Sequence, residues 1–198
     1  MTNAEVHERF AKLLQKVDPP QTLPSPNMPH QVATVFLERK HFSANKERTL
    51  YWWRKTWMIW RGSHWEELSP SSLRALLYNF TTQASYRQGN ESSAWAPTTK
   101  KINDLIDALA SLCELPDKTD APSWLDNRKT GTIVAVANGL LDLESLSLYP
   151  HTPQFFNLTA TPIAYDPAAP APKHWFWFLD SLWPSSDIIH PAQNLLQE

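Results

Sequence analysis

The ionisable side chains of this chain do not form a catalytic or metal-binding pattern. Its seven histidines lack His-x-x-x-His spacing and no Cys-x-x-Cys pair accompanies them, so a zinc site has no ligand set. Asp104 and Asp107 have a spacing that a general acid and base could use, but they lie opposite an apolar helical stripe. We therefore expect both carboxylates to be solvated. His151 and His174 are likewise expected to be surface or capping groups.

Motifs that bind phosphate or activate a nucleophile are absent too. The four glycines form no G-x-x-x-x-G-K-[ST], G-x-G-x-x-G or G-x-S-x-G sequence. The single cysteine, Cys113, lies in the helical pattern "INDLIDALASLCEL" and is expected to be a small buried apolar group. No neighbour in sequence would obviously lower its thiol pKa. We predict no catalytic residue, no metal and no cofactor within this chain.

Short groups of basic residues are the candidates for nucleic-acid contact. They are Arg54, Lys55, Arg61, Lys100, Lys101, Arg128 and Lys129. If the fold gathers them, they could neutralise a few phosphates, and a surface tryptophan beside them would make a single-strand groove. The alternative is that each group is a solvated turn. The formal net charge of −2 gives no global basic field, so any such patch must be local.

Half of the ten tryptophans lie in "LYWWRKTWMIWRGSHWEEL", residues 50 to 68. Short aromatic and β-branched runs broken at "RKT" and "RGSH" predict a three-stranded antiparallel meander. Alternation places Trp57 and Ile59 on one face and Met58 and Trp60 on the other. We expect helices to cover both faces, with Trp57, Trp60 and Trp65 packed in the core rather than exposed for stacking bases or sugars.

The remaining pattern predicts an α+β fold, in which short antiparallel aromatic-rich strands, a meander plus a hairpin, are flanked by several helices. Helices are predicted over 30–42, 69–84 and 98–115, with Ser69 as an N-cap. The stretch 170–184 is predicted to include a last helix with Trp175, Phe178, Leu179 and Leu182 on one face. Residues 85–97 and 116–131 are predicted to be loops. Residues 132–151 should form paired strands that turn near Asn138-Gly139, a dipeptide that tolerates positive φ, or at "ESLS", residues 144–147.

The predicted organisation has four parts. An apolar stripe predicts a helical arm over residues 1–17, and "DPPQTLPSPNMP" predicts a proline-rich linker over 18–29. An α+β accessory domain follows over 30–184, and 185–198 begin a further connection. The N-terminus lacks a signal-peptide core and no apolar run approaches the ~20 residues of a membrane span. We expect a cytoplasmic protein, in a bacterium or a phage-infected host, without a membrane partner.

Several motifs in order resemble the region that precedes the superfamily 3 helicase core in phage and plasmid primase-helicases, shared with the poxvirus primase-helicase. The stretch 57–65 resembles a W-x-x-W-x-G-x-x-W element, and "NGLLDL" is followed by a His-x-Pro and a Tyr-Asp-Pro turn. The matching positions are Trp57, Trp60, Gly62, Trp65, Asn138, Gly139, Leu141, Asp142, Leu143, His151, Pro153, Tyr165, Asp166, Pro167, Ala169, Pro172, Phe178 and Leu179. Ala171 stands where many relatives carry cysteine.

This resemblance implies a non-catalytic accessory domain of a replicative primase-helicase, with signature residues that serve the fold. The domain would support DNA engagement, assembly of the helicase ring, or both. ATP and Mg²⁺ would belong to a helicase core downstream, and the full-length protein would be a homo-oligomer and an ATP-dependent DNA helicase, with or without primase activity. The alternatives are a structural spacer or oligomerisation domain that does not bind DNA, and an unrelated aromatic-rich ligand-binding module.

Overall fold

The computed structural model describes residues 8, 12, 17–126, 128 and 131–182. The chain divides into two compact units, Met1–Tyr165 and Asp166–Glu198. Most of the predicted arm over 1–17, and all of the predicted connection over 185–198, lie outside the described residues. The fold is α+β, as predicted.

Four helices and twelve short strands occur in the described part of the chain. In order they are β1 (Gln21–Thr22), α1 (Pro29–Lys40), β2 (Leu50–Trp53), β3 (Thr56–Trp60), β4 (Trp65–Leu68), α2 (Pro70–Thr81), β5 (Ala84–Gln88), β6 (Glu91–Ala94), α3 (Thr99–Cys113), β7 (Glu114–Leu115), β8 (Ser123–Trp124), β9 (Ile133–Val136), β10 (Gly139–Asp142), β11 (Leu148–Tyr149), β12 (Phe155–Phe156) and α4 (Lys173–Leu182).

The tryptophan-rich stretch forms the predicted antiparallel meander. Strands β2, β3 and β4 pair in sequence, and β7 adds in parallel to β2, which gives the order β4-β3-β2-β7. In this register Trp52 lies opposite Trp57, and Trp60 lies opposite Trp65. The two pairs are on opposite faces of the sheet, because successive side chains alternate.

One face of this sheet packs under the helices. Trp57 and Ile59 join the apolar sides of α1, α2 and α3 in the largest core cluster, as predicted for this face. The stripe along α3 is fully buried at Ile102, Leu105 and Leu109. Helix α2 begins where expected, since the Ser69 hydroxyl accepts a hydrogen bond from the backbone N–H of Ser72.

The opposite face is covered differently from the prediction. Met58 and Trp65 form a second cluster with Phe156 of β12, and residues from the segment after β7 complete it. Within the part of the chain that the structure describes, this side is covered by short strands and loop residues instead of the expected helix. The reason is that short strands distant in sequence, β8 and β12, pair with each other and bring Phe156 onto the sheet.

A second small sheet occupies a segment that was predicted to be a loop. Strands β5 and β6 form a hairpin, and β1 pairs in parallel with β5. The polar sequence concealed this hairpin because most of its side chains face solvent. Trp95 follows β6, is buried, and donates its indole N–H to the carbonyl of Pro24 at 3.2 Å. Leu23 is also buried, so the proline-rich segment packs into the first unit.

The predicted strand pair over 132–151 is present as the sheet β11-β10-β9. It turns at Ala137-Asn138, as expected, but neither Asn138 nor Gly139 has a positive φ, so the proposed reason for the dipeptide is wrong. A Cβ at Gly139 would collide with the carbonyl oxygen of Tyr149 and would lie 2.9 Å from the Cδ1 of Leu148. Close approach of β11, rather than backbone torsion, requires glycine at this position.

The second unit contains the last predicted helix. Helix α4 carries four consecutive aromatic residues, and the rings of Trp175 and Phe178 stack with centroids 5.6 Å apart. This confirms that these two residues share a face. Leu179 is buried, whereas Trp177 is 72% exposed. None of the described helices is both long and apolar enough to cross a membrane.

Candidate functional site

The basic residues predicted to contact nucleic acid are mostly engaged within the chain. Arg54 follows β2 and lies over the ring of Trp53, with its guanidinium carbon 4.6 Å from the ring centroid. Its guanidinium also donates to the backbone carbonyl of Asp117 at 2.9 Å and to the carboxylate of Asp120 at 2.6 Å. Arg54 therefore ties the β2–β3 turn to the loop after β7.

Arg61 and Lys101 are held in similar ways. The guanidinium of Arg61 is largely buried and forms an ion pair with Glu66. Lys101 donates to the backbone carbonyls of Trp95 at 2.7 Å and Ala96 at 2.9 Å, and its ammonium lies 5.4 Å from the centroid of the Trp95 ring. Both cations therefore stabilise local structure.

Arg128 stacks its guanidinium carbon 4.3 Å from the ring centroid of Trp124 and forms an ion pair with Asp126 at 2.7 Å. Lys55 and Lys100 are exposed, and Lys129 lies outside the described residues. Four of the seven basic side chains thus have acidic, carbonyl or aromatic partners inside the chain. Whether the seven contact DNA remains a prediction.

The tryptophans of the signature are structural. Trp57 and Trp65 are buried on opposite faces of the sheet, and Trp60 is half-buried against Trp65 with ring centroids 5.8 Å apart. Gly62 has φ +93° in the β3–β4 turn, a conformation that L side chains rarely adopt. The spacing W-x-x-W-x-G-x-x-W therefore describes two strands and the turn between them.

The asparagine of the Asn-Gly dipeptide makes a reciprocal pair of hydrogen bonds. Its Nδ2 donates to the carbonyl oxygen of Tyr165 at 2.9 Å, and the backbone N–H of Tyr165 donates to its Oδ1 at 2.9 Å. Asp142 and Asp166 each accept from a backbone N–H two residues later and so hold turns, the second of which includes Pro167. These three signature side chains therefore stabilise the backbone by hydrogen bonding to its N–H and carbonyl groups.

His151 is not the surface group that the sequence suggested. Its two ring nitrogens are shielded from solvent, and neither has a hydrogen-bond partner of good geometry among the described residues. Burial lowers the pKa of His151, and His64 adds to this effect, while backbone groups of Ala137 and Val136 partly oppose it. His64 lies in the β3–β4 turn, and Val136 and Ala137 lie at the β9–β10 turn. The structure thus brings both turns close to His151 of the His-x-Pro segment.

Asn157 is a functional candidate that sequence reasoning missed. It is buried, and its Nδ2 donates to the carbonyl of Thr159 at 2.7 Å and to that of Ser63 at 3.2 Å. Its Oδ1 has no hydrogen-bond partner in the described ranges of the chain. Asn157 lines a groove of about 520 Å³ with mostly apolar walls from Pro122, β9 and residues 155–161. No sequence signal marks it, because its neighbours come from four separate segments.

A second groove, of about 350 Å³, lies beside Trp53, Met58 and Trp65. Both grooves have volumes in the range of small ligand sites. Within the described ranges, no three side chains of His, Cys, Asp or Glu come together as a metal site would require. Asp104 and Asp107 are both exposed on α3, as the prediction of a solvated face required.

Comparison with known protein families identifies the family to which the chain belongs. A family model described as "D5 N terminal like" matches residues 39–184 of the chain. The chain belongs to this family. The family comprises the N-terminal region of D5-type primase-helicase proteins from phages, plasmids and poxviruses. No curated protein was found to match the chain.

The match confirms the resemblance drawn from the sequence. It spans the signature residues from Trp57 to Pro167 and also α4 of this D5 N-terminal-like chain. The chain is therefore an N-terminal domain of the kind found in primase-helicase proteins, which places it in the context of DNA replication. The site geometry adds that the signature residues named in the sequence analysis hold turns, strand pairs and the aromatic core.

Proposed function

We propose that this D5 N-terminal-like chain is a non-catalytic assembly domain that brings copies of a primase-helicase together. The whole protein would unwind DNA at the expense of ATP, with the nucleotide and Mg²⁺ bound by a helicase core outside this chain. The observation that supports assembly is the exposure of the aromatic run on α4. Trp175, Phe176, Trp177 and Phe178 are each at least 39% exposed.

An exposed run of this kind favours a protein contact. Burying one large aromatic side chain completely removes roughly 150–250 Å² from water, or about 4–6 kcal/mol at 25 cal/mol per Å². Because the four rings are 39–72% exposed, an assembly contact can gain only the corresponding fraction for each ring. Four adjacent rings on a ten-residue helix point in most directions around its axis, because successive residues are rotated by about 100°. A second copy of the chain offers the same rings and can bury them reciprocally.

The charge distribution favours assembly over DNA binding as the principal role. The net charge is −2, and Arg54, Arg61 and Arg128 are already paired with carboxylates. A protein that neutralises several phosphates needs cations that are free to replace counterions. Carboxylate partners at three of the predicted contacts reduce that capacity.

The experiment compares two matched variants by light scattering coupled to size exclusion. Trp177→Ser removes an indole that is 72% exposed on α4, and Ile163→Ser removes an apolar side chain that is 71% exposed in the first unit. We expect the unchanged chain and Ile163→Ser to elute as oligomers and Trp177→Ser to shift toward monomer. Equal masses for the three proteins would contradict an assembly role for α4.

DNA engagement is the second candidate function. Lys55 and Lys100 are exposed and remain available to phosphates. Fluorescence anisotropy with single-stranded and forked DNA tests it. Binding that weakens with salt and weakens further in Lys55→Glu and Lys100→Glu would support DNA engagement. No binding at tens of micromolar protein would exclude it for this chain.

A further inference from the structure

The chain leaves the first compact unit along the edge of strand β9. The backbone N–H of Thr161 donates to the carbonyl of Ala135 at 2.9 Å, and the N–H of Ala137 donates to the carbonyl of Ile163 at 2.9 Å. Because both numbers rise together, residues 161–163 run parallel to the end of β9. This segment forms a short, irregular ladder that covers one edge of the sheet.

The next rung of this ladder is made by a side chain. After Ala137 the backbone turns into β10, so it no longer faces the departing segment. The amide of Asn138 takes its place and pairs with both the N–H and the carbonyl of Tyr165. A carboxamide presents a donor and an acceptor in one plane, as a peptide group does, whereas a carboxylate has no donor and a hydroxyl has no such plane.

The position of this rung is notable because Tyr165 is the last residue of the first unit and Asp166 is the first of the second. Immediately afterwards, Asp166 closes a turn by accepting from the N–H of Ala168 at 2.9 Å. The sequence then runs through "PAAPAP" to Lys173, where α4 begins. Proline-rich segments of this kind are extended and semi-rigid.

We propose that the Asn138–Tyr165 pair is a releasable latch that fixes the point at which the chain leaves the first unit. Asn138 is exposed, so water can replace both hydrogen bonds without unfolding the core. Opening the latch frees Ala164 and Tyr165, so that the point at which the chain leaves the first unit moves back to Ile163, whose carbonyl is still held by the N–H of Ala137.

Amide hydrogen exchange of the intact chain tests this proposal. In Asn138→Ala both hydrogen bonds are lost, and the Tyr165 amide should exchange roughly 10- to 100-fold faster, as expected for two bonds of about 0.5–1.5 kcal/mol each. In Asn138→Asp the acceptor remains and the donor is lost, so we expect a smaller acceleration. Amides of Trp57 and Ile59 in β3 should keep their wild-type rates in both variants.

The matched control is Asn103→Ala, which removes an exposed amide that accepts from Arg74 at 2.8 Å on a different surface. It should leave exchange at Tyr165 unchanged. The proposal is overturned if Tyr165 exchanges at the wild-type rate in Asn138→Ala. It is also overturned if exchange accelerates equally at Tyr165 and in β3, because the amide would then support the whole unit and would not act as a local latch.

Discussion

Trp65 of β4 packs its ring against Phe156 of β12, with centroids 5.7 Å apart and an interplanar angle of 51°. The two residues lie far apart in sequence. A backbone hydrogen bond supports the ring contact, because the N–H of Trp65 donates to the carbonyl of Asn157, the residue after Phe156, at 2.8 Å. This contact fastens the segment after His151 onto the meander. Among the described residues, it is this contact, and not a helix, that covers the second face of the sheet.

Phe156→Ala should destabilise the first unit by about 3–5 kcal/mol, since it removes a fully buried ring that also contacts Trp53. Urea unfolding followed by tryptophan fluorescence measures the change in free energy. Phe42→Ala is the matched control, because that ring is 38% exposed in the first unit, and it should cost less than about 1 kcal/mol. Similar costs for the two variants would show that Phe156 does not close the second cluster.

Gly139→Ala should cost about 1–3 kcal/mol because the new methyl group would strike the backbone of β11. Gly131→Ala is the control: there the methyl group meets only the flexible end of Glu144, which can move away. Thermal unfolding of the two variants checks the difference. A Gly139→Ala protein as stable as Gly131→Ala would mean that β11 does not approach as closely as described.

Stability should fall as the pH is lowered from 6.5 toward 3. Burial lowers the pKa of His41 to about 3, and Lys40 adds to this effect, so the unfolded chain binds a proton that the folded chain does not. At pH 5 this difference amounts to about 2 kcal/mol, at 1.36 kcal/mol per pKa unit. His151 acts in the same direction.

The test is the pH dependence of urea unfolding in His41→Phe, which keeps a ring beside Phe36. Its stability should fall less steeply between pH 7 and pH 5 than that of the unchanged chain. Parallel profiles for His41→Phe and the unchanged chain would refute a buried, neutral His41.

Cys113 should resist alkylation while the chain is folded. It is fully buried at the end of α3, and burial raises the pKa of its thiol to about 11. Iodoacetamide at pH 8, with labelling read by mass spectrometry, should modify the chain in urea but not in buffer. Rapid labelling in buffer would show that this end of α3 opens readily or that the thiol is accessible.

The sequence predicted those parts of the fold in which neighbours in space are also neighbours along the chain. Helices α1 to α3 follow from their apolar stripes, and the meander follows from alternation in one continuous stretch. The faces of Trp57 and Met58 were correctly separated for this reason. The Ser69 cap is likewise a purely local feature.

The features that sequence could not supply depend on contacts between distant segments. The cover provided by Phe156, the burial of His151 and the partner of Asn138 all require the final positions of strands with weak individual patterns. The β5–β6 hairpin was missed because its polar composition is also typical of a loop. The turn at Gly139 was predicted at the right position but for the wrong physical reason. The close approach of Tyr149 cannot be inferred from the residues that flank Gly139 in the sequence.

The aromatic and acidic partners of the basic residues could not be predicted either, because they come from distant parts of the fold or depend on side-chain geometry. Arg54 and Arg128 form short runs with lysine in sequence, yet each stacks on a tryptophan and pairs with an aspartate. Such pairing depends on side-chain geometry rather than on residue type. The short groups of basic residues predicted a local basic patch, and in the structure the guanidinium groups of Arg54 and Arg128 stabilise turns.

Sedimentation equilibrium of the unchanged chain tests the proposed assembly role most directly. The account predicts an average mass that rises with concentration above the 22.7 kDa of one chain and that falls back in Trp177→Ser. A mass of one chain at every concentration, with the exposed aromatic helix intact, would contradict it.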